Sequence, residues 1–269
     1  MRILDGAELA GYIKERQAKQ VRNLRQAGGV APKLVIVQVG ENQVSDVYVR
    51  LKQGYGEDIL VDVDVRHIAV GAVKNEIEAL NQDDSVHGVI VQLPLPDPEV
   101  TDAVVNAINP AKDVDGLGGG ADYISATAEA IDWLLAGYNV DLKGKSIAIV
   151  GNGRLVGAPL AALWRKAGYN ISVYDDTTED LIGSLRGAQV IITATGQPGL
   201  ITANMLQPSA VVVDAGTASE NGKIVGDVAP NVRERGDLTM TPEKGGVGPL
   251  TIATLFDHVI QAARKTIET

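Results

Sequence analysis

Short runs that are apolar at nearly every position recur along this chain: LVIVQV at 34–39, GVIVQL at 88–93, SIAIV at 146–150, VIITA at 190–194 and AVVVD at 210–214. No other feature restricts the possible folds as strongly. A run with no polar alternation must be buried on both faces, and such strands belong to parallel sheets covered by helices. Helical periodicity between the runs supplies the crossovers. The predicted class is therefore α/β, in two domains.

Asp5 is placed to cap a first helix that ends at the Gly28-Gly29 stop. The spacing predicts further helices from Ser45 to about Glu57, over 72–82, near 99–108 and over about 125–137, with a strand at Val61–Ile68. The polar segment NVDLKGKS at 139–146 precedes a restart of the pattern, so the domain boundary is set there. A strand at Ser146–Val150 opens the second half, followed by GNGRLVGAP, a helix ending at Lys166, and strands at Asn170–Tyr174, Val190–Ala194 and Ala210–Asp214. The last helix, about Pro249–Ile267, is long enough to leave the second domain and return to the first. The expected division is 1–138 plus 252–269 against 139–251.

Charge limits the partners. With 24 Lys+Arg against 34 Asp+Glu the formal net charge is −10, and no basic run is dense enough to neutralise a nucleic-acid backbone. Nucleic acid is excluded as a partner, and anionic ligands must be held by a few placed groups. Cysteine is absent, which removes disulfides, thiolate metal sites and thiol nucleophiles together. No metal is expected. The opening MRILDGAELAGYIKERQ carries charges where a signal peptide needs its apolar core, and no apolar run approaches the ~18 residues of a membrane span. A soluble cytoplasmic protein with no membrane partner is expected.

The turn Gly151-Asn152-Gly153-Arg154-Leu155-Val156-Gly157 lies between a strand and a helix, where glycines let the backbone approach a pyrophosphate at a helix N-terminus. Its third glycine stands one position later than in the usual fingerprint, and tight turns also use glycine for steric reasons alone. Asp175 and Asp176 close the next strand, where a carboxylate can accept hydrogen bonds from the adenosine ribose. Two carboxylates there would repel the 2′-phosphate of NADP, which favours NAD. Arg154 could offset this by reaching that phosphate, and both aspartates could simply solvate a strand end.

In the first half, Tyr48 and Lys52 are spaced i, i+4 on a predicted helix with Ser45 one turn earlier, so all three project from one side. In an apolar cleft such a lysine can move protons near neutrality, although the pair also fits an ordinary amphipathic face. Gln92 ends a strand, where open α/β sheets place ligand groups, and Asp113 and Asp115 lie on a loop where either could bind a cationic or N–H-bearing ring.

The conjunction is more specific than its parts. Ser-x-x-Tyr-Val-x-x-Lys at 45–52, VQLPLP at 91–96, KDVDG at 112–116 and GGVGPLT at 245–251 surround the glycine turn in an order that resembles the methylenetetrahydrofolate dehydrogenase/cyclohydrolase family. VGAP after the turn, ATGQPG at 194–199, VVVDAG at 211–216 and IVGDV at 224–228 extend the likeness from about 34 to 260. The resemblance implies a folate-binding catalytic domain at 1–138 plus 252–269, a Rossmann-type NAD(P)-binding domain at 139–251, a substrate cleft and a homodimer. It also implies oxidation of 5,10-methylenetetrahydrofolate to the methenyl form, then hydrolysis to 10-formyltetrahydrofolate, in one-carbon metabolism. The alternatives are a monofunctional NAD-dependent dehydrogenase and a non-catalytic nucleotide-binding protein. Carried over, Lys52 handles protons in the hydrolytic step, Gln92 tunes it, Tyr48 stacks on the folate and Asp115 bonds the pterin edge. Ser45, Gly246 and Pro249 complete the substrate set. Gly151, Asn152, Gly153, Arg154, Gly157, Asp175, Asp176 and Thr217 make the cofactor set. The glycines of 245–248 are expected to leave room for ligand.

The chain departs from the family pattern at the turn, with Asn152-Gly153 for Arg-Ser, and at the second strand end, with Asp175-Asp176 for His-Ser. Both changes remove groups suited to a 2′-phosphate. After Gly116 the loop is shortened to LGGGADYI, Ser125-Ala126-Thr127-Ala128 replaces Pro-Cys-Thr-Pro, and Glu243-Lys244 replaces Val-Pro. These changes bear on substrate affinity and on the balance of the two activities.

Overall fold

The computed structural model describes residues 1–40, 43–220 and 223–268. In chain order its elements are β1 (Arg2–Ile3), α1 (Gly6–Ala27), β2 (Lys33–Val39), α2 (Gln43–Ile59), β3 (Asp62–Ile68), α3 (Val73–Gln82), β4 (Gly88–Val91), α4 (Thr101–Val105) and α5 (Ala126–Gly137). There follow β5 (Ile147–Val150), α6 (Gly157–Lys166), β6 (Ile171–Tyr174), α7 (Leu181–Leu185), β7 (Val190–Thr193), β8 (Val211–Asp214), β9 (Ala218–Glu220), β10 (Lys223–Val225), α8 (Pro230–Arg233), β11 (Thr239–Met240) and α9 (Val247–Glu268).

Contacts divide the chain into two compact units, residues 11–126 with 252–269 and residues 1–10 with 127–251. The first is built on a three-stranded sheet in the order β3-β2-β4, parallel throughout. Its central strand β2 is buried on both faces, as its continuous apolar run requires. Leu34 and Ile36 pack with Val21, Val49, Phe256 and Val259. Their alternates Val35, Val37 and Val39 pack with Ile77, Leu80 and Val104. The long helix α9 thus returns to this unit, as its length suggested.

The second unit carries a six-stranded parallel sheet in the order β1-β11-β8-β7-β5-β6. The register pairs Val150 with Tyr174 and Thr193, and Thr193 with Asp214. Gly151, Asp175, Ala194 and Ala215 therefore follow strands that end at one carboxyl edge. Such an edge is where open α/β sheets bind ligands.

The units part from the expected division at 138/139. Residues 1–10 and 127–138 join the later unit because β1 pairs in parallel with β11, and because the Trp164 indole N–H donates to Asp132 Oδ1 at 2.9 Å. The Tyr138 hydroxyl also donates to the Asp5 carbonyl at 3.1 Å. The helix expected near 99–108 is shorter. Pro98–Val100 form a 3-10 turn capped by Asp97, whose side chain accepts from the Glu99 amide at 3.0 Å, and α4 ends at Val105.

Candidate active site

In the first unit, α2 presents Ser45, Tyr48 and Lys52, and β4 delivers Gln92 at its carboxyl end, where the Gln92 amide continues the sheet by donating to the Val37 carbonyl at 2.9 Å. Lys52 Nζ donates to Gln92 Oε1 at 2.9 Å, and Gln92 Nε2 donates to the Leu93 carbonyl at 3.0 Å. The carboxamide is thereby fixed with its oxygen toward the lysine. Burial holds the Lys52 amine below the usual lysine range, against the opposing pull of Asp115. Burial likewise raises the Asp115 carboxyl, against Lys52 and His258. Desolvation thus outweighs the mutual attraction of the pair and pushes both groups toward their neutral forms. The Tyr48 phenol is raised by burial and stays protonated. Ser45 is itself buried beneath this face.

The loop bearing Asp115 is organised by its neighbour. Asp113 is 1% exposed, and its carboxylate accepts from the Gly116 and Gly118 amides at 3.1 and 2.7 Å. Of the two aspartates allowed for at this loop, Asp113 is spent on the turn. Gly116 takes φ +67°, and a Cβ there would stand 2.5 Å from the Ile124 backbone. Both facts demand glycine. Gly246 and Pro249 belong to the other unit. The space expected at 245–248 is only partly there. A Cβ on Gly246 would meet Thr241 Cβ at 3.2 Å, and the Gly245 carbonyl is taken by the Ala7 amide at 2.9 Å, whereas Gly248 faces open space.

The glycine turn separates the two roles that sequence alone left open. Gly151 has φ +99°, and a Cβ there would stand 2.5 Å from the Ala194 carbonyl oxygen. A Cβ on Gly157 would stand 1.8 Å from the Gly151 oxygen, so both glycines are required by the fold itself. Nothing lies within 4 Å of a Cβ on Gly153. That position, with Asn152 and Arg154, is exposed at the entrance to α6, whose Ala158 amide already donates to the Gly153 carbonyl at 3.1 Å and whose Pro159 has no amide hydrogen, so an anion here would meet the amides of the turn. Asp175 accepts from the Thr177 amide and hydroxyl at 3.1 and 2.6 Å, and the Thr177 hydroxyl is the main cause that holds its carboxyl below the usual range. Asp175 and Asp176 are exposed, as is Thr217 after β8.

Two carboxylates escaped the sequence reading. Asp214 accepts from the Gly216, Asp227 and Val228 amides at 3.0–3.1 Å, while Asp227 accepts from the Thr193 hydroxyl at 2.7 Å and from the Thr195 and Gln197 amides at 2.7 and 3.0 Å. The clasp is reciprocal. A Cβ on Gly226 would stand 2.1 Å from Asp214 Oδ2, and one on Gly216 would stand 2.1 Å from Asp227 Oδ1. The Gly-Asp pairings in VVVDAG and IVGDV carried that signal.

A half-buried lysine, carboxamide and carboxylate in one α/β unit, with a glycine turn at the carboxyl edge of a parallel sheet in the other, define a two-domain nucleotide-dependent α/β enzyme. Family models agree: the tetrahydrofolate dehydrogenase/cyclohydrolase catalytic domain matches residues 4–115, and the NAD(P)-binding domain of the same family matches 125–267. The chain belongs to the tetrahydrofolate dehydrogenase/cyclohydrolase family. It is 38% identical, over 99% of its length and 100% of the relative's, to the Bifunctional protein FolD of Hydrogenobaculum sp. (strain Y04AAS1). The crystal structure of the bifunctional enzyme FolD, a methylenetetrahydrofolate dehydrogenase/cyclohydrolase from Campylobacter jejuni, superposes with a TM-score of 0.93 at 35% identity, covering 99% of each chain. That of the Trypanosoma brucei enzyme, complexed with NADP cofactor and inhibitor, gives 0.92 at 27% identity, covering 99% of this chain and 98% of that one. Among the described residues, no helix is long and apolar enough to cross a membrane.

Proposed function

We propose that this chain oxidises 5,10-methylenetetrahydrofolate to 5,10-methenyltetrahydrofolate with NAD(P)+ and hydrolyses the product to 10-formyltetrahydrofolate. The observation that carries the reading is the bond from Lys52 Nζ to Gln92 Oε1 at 2.9 Å, on an amine whose protonation is disfavoured by burial.

The residues present fit a nicotinamide dinucleotide. Gly151 and Gly157 shape the turn and Gly153 leaves its surface open, so backbone amides of the turn itself would hold the pyrophosphate. When bound, the nicotinamide accepts the hydride that leaves the one-carbon bridge of the substrate. The chain's own groups handle the rest. A neutral Lys52 does not repel the cationic methenyl product, and its Nζ accepts a proton from the water that attacks the methenyl carbon. Gln92 Oε1, by accepting one Nζ hydrogen, fixes the direction of the lone pair. Asp115, when ionised, offsets positive charge on the pterin, and Tyr48 offers its ring as a stacking face.

We infer further that NAD is preferred. Asp175 is anionic and exposed, Asp176 stands beside it, and Asn152-Gly153 brings no cation of its own. A 2′-phosphate would meet two carboxylates there, with Arg154 as counterweight. A homodimer is proposed on the family likeness, and light scattering tests it.

The functional test incubates the protein with methylenetetrahydrofolate and either nucleotide and follows methenyl absorbance. Formation followed by decay faster than the uncatalysed rate supports both steps. Methenyl that decays only at the uncatalysed rate removes the hydrolytic step, and no methenyl with either nucleotide removes the proposal. Matched initial rates clearly higher with NADP would overturn the NAD preference.

A further inference from the structure

We propose that His258 is a positioning residue for Asp115, acting through the hydrogen bond between its Nδ1 and the Val114 carbonyl. The proposal rests on the folate reading above, since it concerns how the pterin-binding carboxylate is held.

His258 is 2% exposed on α9, and its Nδ1 lies 2.8 Å from the Val114 oxygen. A carbonyl can only accept, so Nδ1 carries the hydrogen and donates it. The ring cannot swing away from this bond. It stacks on Tyr123 with centroids 4.8 Å apart at 27°, and Lys265 Nζ lies 4.9 Å from the Tyr123 centroid. Val114 is equally confined. It is fully buried, and its methyls occupy the space that a Cβ on Gly88 of β4 would need, with Cγ2 2.9 Å from that point.

Peptide planarity carries the effect to Asp115. The Val114 carbonyl and the Asp115 amide share one rigid plane, so a bond that fixes the oxygen also fixes the nitrogen and Cα of Asp115. The plane on the other side of Asp115 is held independently. There the Asp115 carbonyl accepts from the Ala126 amide at 3.1 Å, and the Gly116 amide donates to Asp113 Oδ1 at 3.1 Å. With both flanking planes tied, φ and ψ of Asp115 are set, and with them the direction of its Cα–Cβ bond. His258 is also close enough to Asp115 to favour its charged form electrostatically, as Lys52 does. The same histidine therefore bears on the carboxylate by two routes, one through backbone geometry and one through space.

Three substitutions separate these contributions. An Asn side-chain nitrogen falls near the place of a histidine Nδ1, a Gln nitrogen falls near Nε2, and Leu keeps the bulk with no donor. His258→Leu and His258→Gln should raise KM for methylenetetrahydrofolate about five- to tenfold, the scale of one net hydrogen bond. His258→Asn should stay within about twofold of the parent in KM, because the donor to Val114 is restored. Nucleotide affinity, measured by titration of each variant, should be unchanged, since the glycine turn belongs to the other unit. Asn as impaired as Leu, or Leu indistinguishable from the parent, overturns the proposal. Should the Leu variant not fold, the Asn and Gln pair carries the comparison alone. Parent protein that makes no methenyl product overturns the folate reading and this inference with it, whereas an active parent with equal Asn and Gln variants overturns this inference only.

Discussion

Lys52 is held short of its usual protonation by burial, with Gln92 as its hydrogen-bond acceptor, and two outcomes follow for the hydrolytic half-reaction. Lys52→Met removes the proton acceptor while keeping an unbranched side chain in place. Hydrolysis of methenyltetrahydrofolate should fall by about 10²- to 10⁴-fold, with nucleotide binding and Tm nearly unchanged, as read from methenyl decay and a thermal scan. An unchanged decay rate would refute the role assigned to Lys52. Gln92→Glu sets a carboxylate against Nζ at a site where the parent pair is 2.9 Å apart. The negative charge favours the ammonium, so the Lys52 pKa rises. In the proposed mechanism the neutral amine is the active form, so hydrolysis at neutral pH should drop about tenfold or more and recover as pH is raised. The pH–rate profile should thus show its rising limb displaced to higher pH. A limb displaced to lower pH, or unmoved, contradicts this sign. At this scale the meeting of Lys52 with Gln92 at 2.9 Å joins a residue placed by helical spacing to one placed by strand-end position, whereas Asp115, on a loop, was singled out only by the family resemblance. His258 was not, because a lone histidine in an apolar helical stretch carries no spacing signal. The residues by themselves did not separate Asp113 from Asp115, and the structure adds that the Gly116 and Gly118 amides occupy the Asp113 carboxylate.

At the scale of elements, long periodic segments were read well and brief ones were not. The continuous apolar runs became β2, β4, β5, β7 and β8, and the Asp5 cap was found in place, its Oδ1 accepting from the Glu8 amide at 3.0 Å. Strands of two residues such as β1 and β11 have no period to detect, and the β9–β10 pair of three-residue strands lies in a polar stretch. The glycine turn offers a test at this scale, because its glycines are not equivalent. Gly157→Ala pushes a methyl to within 1.8 Å of the Gly151 oxygen, so α6 must shift against β5. Such overpacking costs about 1–3 kcal/mol, and both Tm and nucleotide affinity should fall together. Gly153→Ala meets nothing within 4 Å, so Tm should hold while nucleotide affinity falls, because the added methyl intrudes only on the ligand's side. Equal losses of Tm in the two variants would mean that the turn is under uniform steric strain. Full affinity in the Gly153 variant would mean that the dinucleotide does not approach this backbone.

At the scale of the whole molecule, two α/β units were legible from the restart of the strand-helix pattern after 139–146, but their boundary was not. The pairing of β1 with β11, the bond from α6 to α5 and the bond from Tyr138, after α5, to Asp5, before α1, join residues far apart in sequence, and no local composition change marks them. Net charge acts at the same scale and was available from the start. A chain with 24 basic and 34 acidic side chains carries −10, while folate and dinucleotide are both anions. Long-range fields therefore oppose their capture, and attraction is confined to groups within the sites, such as the amides of the glycine turn. Salt screens the long-range part first, since the Debye length shrinks from about 30 Å at 0.01 M to about 10 Å at 0.1 M. Raising ionic strength over that range should therefore increase kcat/KM for both ligands by about two- to fivefold, the reverse of an electrostatically steered enzyme. Initial rates at subsaturating folate and at subsaturating nucleotide, taken across a salt series, measure it. A decline with salt for either ligand would locate a local cationic field at that ligand's entry strong enough to outweigh the net charge, with Arg154 the first candidate on the nucleotide side.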